Sequence, residues 1–108
     1  MAPYTAPLAD IDFVLNRLCD VPGITSLDAF PDADPAVVRD LLAEAGRFFA
    51  ERIAPLNHVG VVEGRVRHDD GSVTTPTGFV EAYAEYVAGG WGAVPFDPGY
   101  GGGGFPGV

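Results

Sequence analysis

The chain has no lysine, one cysteine, one tryptophan and no apolar run approaching the length of a membrane span. Its six basic residues are all arginines, set against fifteen aspartates and glutamates, for a net charge of −9. Without a basic patch nothing neutralises phosphates, which excludes a nucleic-acid surface built on counterion release. The same deficit disfavours adsorption to anionic membranes, and the excess acid reads as a solubility feature. A spanning helix needs about 20 apolar residues, and the start, MAPYTAPLADIDF, lacks the basic-then-apolar order of a signal peptide. The single Cys19 excludes an internal disulfide and fits a reducing compartment. Beside Leu18 it reads as a small core residue, not a nucleophile. The cytoplasm is the expected location.

What is present is enough for one domain: 108 residues, 47% of them hydrophobic. Fifteen glycines and ten prolines are a high share, and ten of the glycines lie from Gly78 onward. The C-terminal end therefore reads differently from the middle. That middle is organised around one stretch, Asp34 to about Asn57. Asp34 is a helix cap, with Pro35 at the first helical position, where its missing N–H costs nothing. Val38, Leu41, Leu42, Ala45, Phe48, Phe49, Ile53 and Leu56 then recur at spacings of three and four, one apolar stripe on a helix. Arg39, Asp40, Glu44, Arg47 and Glu51 form the opposite face, with Arg47 and Glu51 placed to pair. Pro55 predicts a kink or restart.

Before this helix, Pro7 or Leu8 opens another that reaches about Cys19. Leu8, Ile11, Leu15 and Leu18 mark its buried face, and Val21-Pro22-Gly23 stops it. Residues 24–33 form a connector anchored by Ile24, Leu27 and Phe30. After Asn57 the helical period is lost at Gly60 and Gly64, and Asp70-Gly71 between Val66 and Val73 predicts a small hairpin. Thr75-Pro76 or Thr77 opens a third helix with an apolar stripe at Phe79, Ala82, Tyr83, Tyr86 and Val87. Glu81 and Glu85 form a like-charge pair away from that stripe, and Gly89-Gly90 ends the helix. From Trp91 onward the chain is a loop that leaves Phe105, Pro106 and Val108 unaccommodated. The expected fold is all-α: three amphipathic helices, a short irregular or hairpin insertion and a glycine-rich C-terminal loop.

Few residues suggest chemistry. Gly99 to Gly104 spells GxGxxG, but a dinucleotide turn needs a strand before it and a helix after it. His58 and His68 with Asp69 and Asp70 match no metal spacing and read as a solvated loop. Asp32-Ala33-Asp34 lacks the later ligands of a calcium loop and reads as a helix entry. Glu81 with Glu85 reads as exposed helix charge, not paired catalytic carboxylates.

Several pieces in one order carry a stronger signal. They are Tyr4-x-Ala6-Pro7, Asp10-x-x-Phe13-Val14-Leu15, Ala54-Pro55-Leu56-Asn57 with Gly60, and Thr75-Pro76-x-Gly78-Phe79-x-x-Ala82-Tyr83. Gly89-Gly90-Trp91 and Asp97-Pro98-x-Tyr100-Gly101-Gly102-x-Gly104-Phe105-Pro106 follow. Together they resemble the N-terminal region of bacterial acyl-CoA dehydrogenases, over essentially the whole chain. The resemblance assigns residues 1–33 to an N-terminal extension with the first helix. Residues 34–108 then correspond to part of the family's N-terminal helical domain.

Such enzymes bind FAD, remove the α-proton of an acyl-CoA thioester with a carboxylate base, and pass the β-hydride to the flavin. Electrons leave to an electron-transfer flavoprotein. The resemblance implies that the base and most FAD contacts lie in later domains. No residue of this chain is therefore assigned a catalytic, cofactor-binding or metal role, and the expected partners are the enzyme's remaining domains. The four-glycine run departs from the family pattern at Gly103, and its added entropy is expected to loosen the loop. The chain then reads as an N-terminal fragment of an acyl-CoA dehydrogenase, inactive alone. The alternative is a non-catalytic helical interaction module.

Overall fold

A computed structural model describes residues 3–108. Its longest feature is a continuous helical rod from residue 35 to residue 63, made of α3 (Pro35–Phe48), a π-helical turn (Phe49–Ile53) and α4 (Ala54–Glu63). Asp34 starts it as expected: its Oδ1 accepts from the backbone N–H groups of Ala36 at 2.8 Å and Val37 at 3.0 Å. The restart at Pro55 takes a specific form. Proline offers no N–H to the carbonyl one turn back and its ring crowds that carbonyl. The preceding turn widens, and the Ala54 N–H reaches back five residues to the Phe49 carbonyl.

The rod runs six residues past Asn57, where the sequence suggested a break. Gly60 sits inside α4 because α5 approaches it closely: a Cβ there would lie 3.0 Å from Cζ of Phe79. The helix ends at Gly64, with φ of 65°.

Ahead of the rod, α1 (Leu8–Phe13) passes into a second π-helical turn (Val14–Leu18), matching the expected first helix. Val21-Pro22-Gly23 does more than stop it. Asp20 takes a left-handed conformation, φ 51°, and its Oδ1 accepts from the Gly23 N–H at 3.3 Å. This starts the short helix α2 (Val21–Thr25), where Pro22 lies in the first turn and lacks nothing. Val21, Thr25 and Ala33 are buried here, and the Thr25 hydroxyl donates to the Val21 carbonyl at 3.0 Å.

The predicted hairpin is present. Strand β1 (Val66–Arg67) pairs antiparallel with β2 (Val73–Thr74), Val66 opposite Thr74 and Arg67 opposite Val73. In its turn, Asp70 Oδ1 accepts from the Ser72 hydroxyl at 2.7 Å and from the Ser72 N–H at 2.9 Å. These bonds, the hydroxyl's first, hold the Asp70 carboxyl below its ordinary pKa. Helix α5 (Phe79–Ala88) begins later than Thr75-Pro76 suggests, because Gly78 occupies a left-handed position, φ 86°, at its cap. The Thr77 N–H meanwhile donates to Glu63 Oε2 at 2.7 Å, tying the hairpin's exit to the end of α4.

The core is small. Among the described residues the fully buried apolar side chains are Val21, Ala33 and Ala82. The long stripe of α3 and α4 is half-buried throughout, and Phe49 is exposed. What joins the rod to α5 is an aromatic cluster: Phe48 stacks on Trp91 at 5.9 Å between centroids, and Phe49 meets Tyr86 edge-on at 6.5 Å.

Candidate functional site

The aromatic cluster and an ion pair link the rod to α5 beside an open apolar groove. Arg52, in the second π-helical turn, forms a bidentate ion pair with Glu85 on α5, its Nε 2.6 Å from Oε2 and its Nη2 on Oε1. The hydrogen bond from Arg52 holds the Glu85 carboxyl below its ordinary pKa, and the reciprocal bond raises Arg52. Glu85 is exposed as expected, but it belongs to an inter-element clamp with Arg52 that the sequence reading did not include. Arg47 forms the expected pair with Glu51 at 2.9 Å, and also binds Glu44, whose carboxyl it holds below the ordinary value.

Beside the clamp, α4 and α5 leave an open apolar groove of about 380 Å³, lined by Ile53, Leu56, Phe79, Ala82, Tyr83 and Tyr86 with Asn57. It continues past Gly60 and Val61 toward Pro76 as a second hollow of about 390 Å³ sharing Leu56, Asn57 and Phe79. A third cleft, about 530 Å³, lies between the connector at Asp28–Pro31 and the C-terminal loop at Phe96, Pro98 and Phe105.

The glycine-rich loop is built, not loose. Short 3-10 turns at Trp91–Ala93 and Pro98–Tyr100 lead into its four-glycine run, and Asp97 Oδ1 caps the second through the Gly99 N–H at 2.7 Å. Gly101 and Gly104 adopt φ of 87° and 71°. At Gly102 a Cβ would overlap the Phe96 carbonyl, and at Gly103 it would lie 2.8 Å from the Val94 oxygen. Gly102, Gly103 and Gly104 thus meet steric demands and Gly101 a conformational one, so the run takes a defined turn. Phe105 and Pro106 are half-buried by the same fold-back, while Val108 stays exposed.

The loop's amides also decide the phosphate question. The N–H groups of Gly101, Gly102, Gly103 and Gly104 donate to the carbonyls of Pro98, Asp97, Ala93 and Phe96 at 2.9 to 3.0 Å. They are committed inward, and neither a β-strand before them nor an α-helix after them is present among the described residues, so this turn does not fit the pyrophosphate of FAD. The other sequence candidates stay apart. His58 sits on α4 and not in a loop, while His68 Nε2 meets Thr74 Oγ1 across the hairpin at 2.6 Å. Among the described residues no three His, Cys, Asp or Glu side chains converge as metal ligands would. Asp34 is the cap already described. Cys19 is exposed, correcting its reading as a core residue: it ends the first π-helical turn on the solvent side. The Arg52–Glu85 clamp was missed because its partners lie 33 positions apart. Only the arginine's place on a helix flank hinted at it.

Comparison with curated proteins supports the resemblance to acyl-CoA dehydrogenases. The chain is 36% identical over 103 residues, 95% of its length, to the 3-methylmercaptopropionyl-CoA dehydrogenase of Ruegeria pomeroyi. It spans 17% of that relative. No family model matches the chain. No helix among the described residues is long and apolar enough to cross a membrane.

Proposed function

We propose that this chain is the helical leading part of an FAD-dependent acyl-CoA dehydrogenase, without activity of its own. The observation that carries the reading is the 36% identity sustained over 95% of the chain. In the whole enzyme, FAD would accept hydride from an acyl-CoA thioester, and electrons would pass on to an electron-transfer flavoprotein. This chain's share of that task is architectural. The clamp and the aromatic cluster hold α5 against the rod, and the α4–α5 groove presents an apolar face for the enzyme's remaining domains. Glu44, Glu85 and Asp70 are exposed, and hydrogen bonds hold their carboxyls below the ordinary pKa, opposite to the raised pKa of a desolvated base.

The test has two arms. The purified chain, supplied with FAD, 3-methylmercaptopropionyl-CoA or butyryl-CoA and an artificial electron acceptor, is expected to show no turnover; turnover would overturn the inactivity. In the second arm, this chain replaces the matching residues of the Ruegeria pomeroyi relative. The chimera is expected to bind FAD and oxidise its acyl-CoA. A folded chimera that does neither would overturn the family role.

A further inference from the structure

Asp70 alone among the chain's aspartates precedes glycine. Such a pair is chemically labile, because the following residue has no β-carbon to shield its amide nitrogen from the aspartate side chain. The fold leaves the pair open to solvent: residues 61–75 are exposed, and a Cβ on Gly71 would meet nothing within 4 Å. The same turn ties up both reacting groups. The Gly71 N–H donates to the His68 carbonyl at 3.0 Å. Asp70 Oδ1 is drawn past Gly71 to Ser72, whose hydroxyl and N–H reach it at 2.7 and 2.9 Å. Those two bonds favour the ionised carboxyl, whereas ring closure needs it protonated so that its oxygen can leave as water.

We propose that Asp70 is a modification site gated by the hairpin: the closed turn holds it as aspartate, and opening of the turn releases it to isoaspartate. In the released turn the Gly71 nitrogen bonds to Asp70 Cγ. The carboxylic OH leaves with the amide proton as water, closing a succinimide. Water then opens the ring at either carbonyl. One opening restores aspartate; the other leaves the main chain running through the side-chain carboxyl, with no net change in mass and no oxidant or cofactor consumed. The gate is weak enough to open. It rests on a two-stranded sheet that pairs only Val66 with Thr74 and Arg67 with Val73, and a hairpin of two strands is marginal in water. His68 closes it at the turn, its N–H donating to the Ser72 carbonyl at 2.8 Å and its Nε2 meeting Thr74 Oγ1. Isomerisation puts an extra carbon into the main chain of the turn and moves the acceptor that Ser72 uses. The product hairpin therefore loses the register that the aspartate form holds.

The proposal does not depend on the enzymatic reading, which stands or falls on the chimera. The 108-residue chain is aged near neutral pH, folded and in denaturing guanidinium. Isoaspartate is read by labelling with an isoaspartate-specific methyltransferase and by fragmentation of the peptide that spans the turn. The denatured chain is expected to accumulate isoaspartate at Asp70, and the folded chain several-fold more slowly. Folded Ser72→Ala should lose most of that protection with its helical circular dichroism kept, because Ser72 is exposed on the hairpin and outside every helix. Asp70→Glu, whose longer side chain closes the corresponding ring poorly, should remove the label from the turn in either state. Equal rates in the folded and denatured chain, a folded Ser72→Ala rate equal to the parent's, or label in the turn that survives Asp70→Glu would overturn the proposal.

Discussion

At the residue scale, the glycines divide into those the structure requires and those it does not. Gly102 packs its α-carbon where a methyl would strike the Phe96 carbonyl, whereas Gly107 has nothing within reach and no positive φ. Gly102→Ala should therefore destabilise the fold-back by about 1–3 kcal/mol, since backbone, not a flexible side chain, has to move. Gly107→Ala should be neutral or gain a few tenths of a kcal/mol from the lower entropy of the unfolded chain. Limited proteolysis across residues 94–106 checks both: the first variant should be cut faster than the parent, the second no faster. Asp97 supports the same loop through its cap on Gly99. A reading by composition treats all such glycines alike, and only the local neighbours separate them.

At the scale of elements, the Arg52–Glu85 clamp gives a pH dependence with a definite sign. The folded-state pKa of Glu85 is lowered, so the pair's contribution is fully present above the ordinary glutamate pKa and is lost as pH falls through the folded value. Glu44 acts in the same direction through Arg47. Stability should thus decline on the acid side, below the ordinary carboxylate range, and added salt should blunt the decline, because both partners of the clamp are about half exposed. Glu85→Gln should flatten that acid slope and loosen α5 from the rod. Thermal melting from neutral to acid pH, compared with the parent, measures it; an unchanged slope would mean the clamp contributes nothing. The π-helical turn matters here too, because the widening ahead of Pro55 lies in the segment that bears Arg52, whose reach to α5 the clamp needs.

At the scale of the whole molecule, shape and burial disagree with the sequence's apolar content. The radius of gyration is 17.3 Å, where a compact chain of this length would have about 13 Å. The molecule measures 53 × 36 × 19 Å, flat and long, because the helical rod sets one dimension. Leu18 on the first π-helical turn and Val61 on α4 stay 71 and 78% exposed. Such a surface should bind a hydrophobic dye at neutral pH without acid or denaturant. No fluorescence above that of a compact control protein would contradict the exposed face.

The sequence by itself determined the three main helices and several of their ends, but not α2, the end of the rod or the start of α5. Asp34 with Pro35, the three-and-four spacing from Val38 to Leu56, Asp70-Gly71 and Gly89-Gly90 are local signals, and each acts through hydrogen bonds or sterics within a few residues. The family resemblance was legible for the same reason, being carried by short ordered motifs. Tertiary structure alone decided what depends on distant neighbours. Gly60 is a helix residue because Phe79 lies against it, and Glu85 is a clamp because Arg52 reaches it. The glycine run folds back because carbonyls from Ala93 to Pro98 claim its amides. Periodicity could name the apolar stripes, but not which of them would find cover. That depends on how many faces of a long rod one short α5 can reach, and it reaches only one.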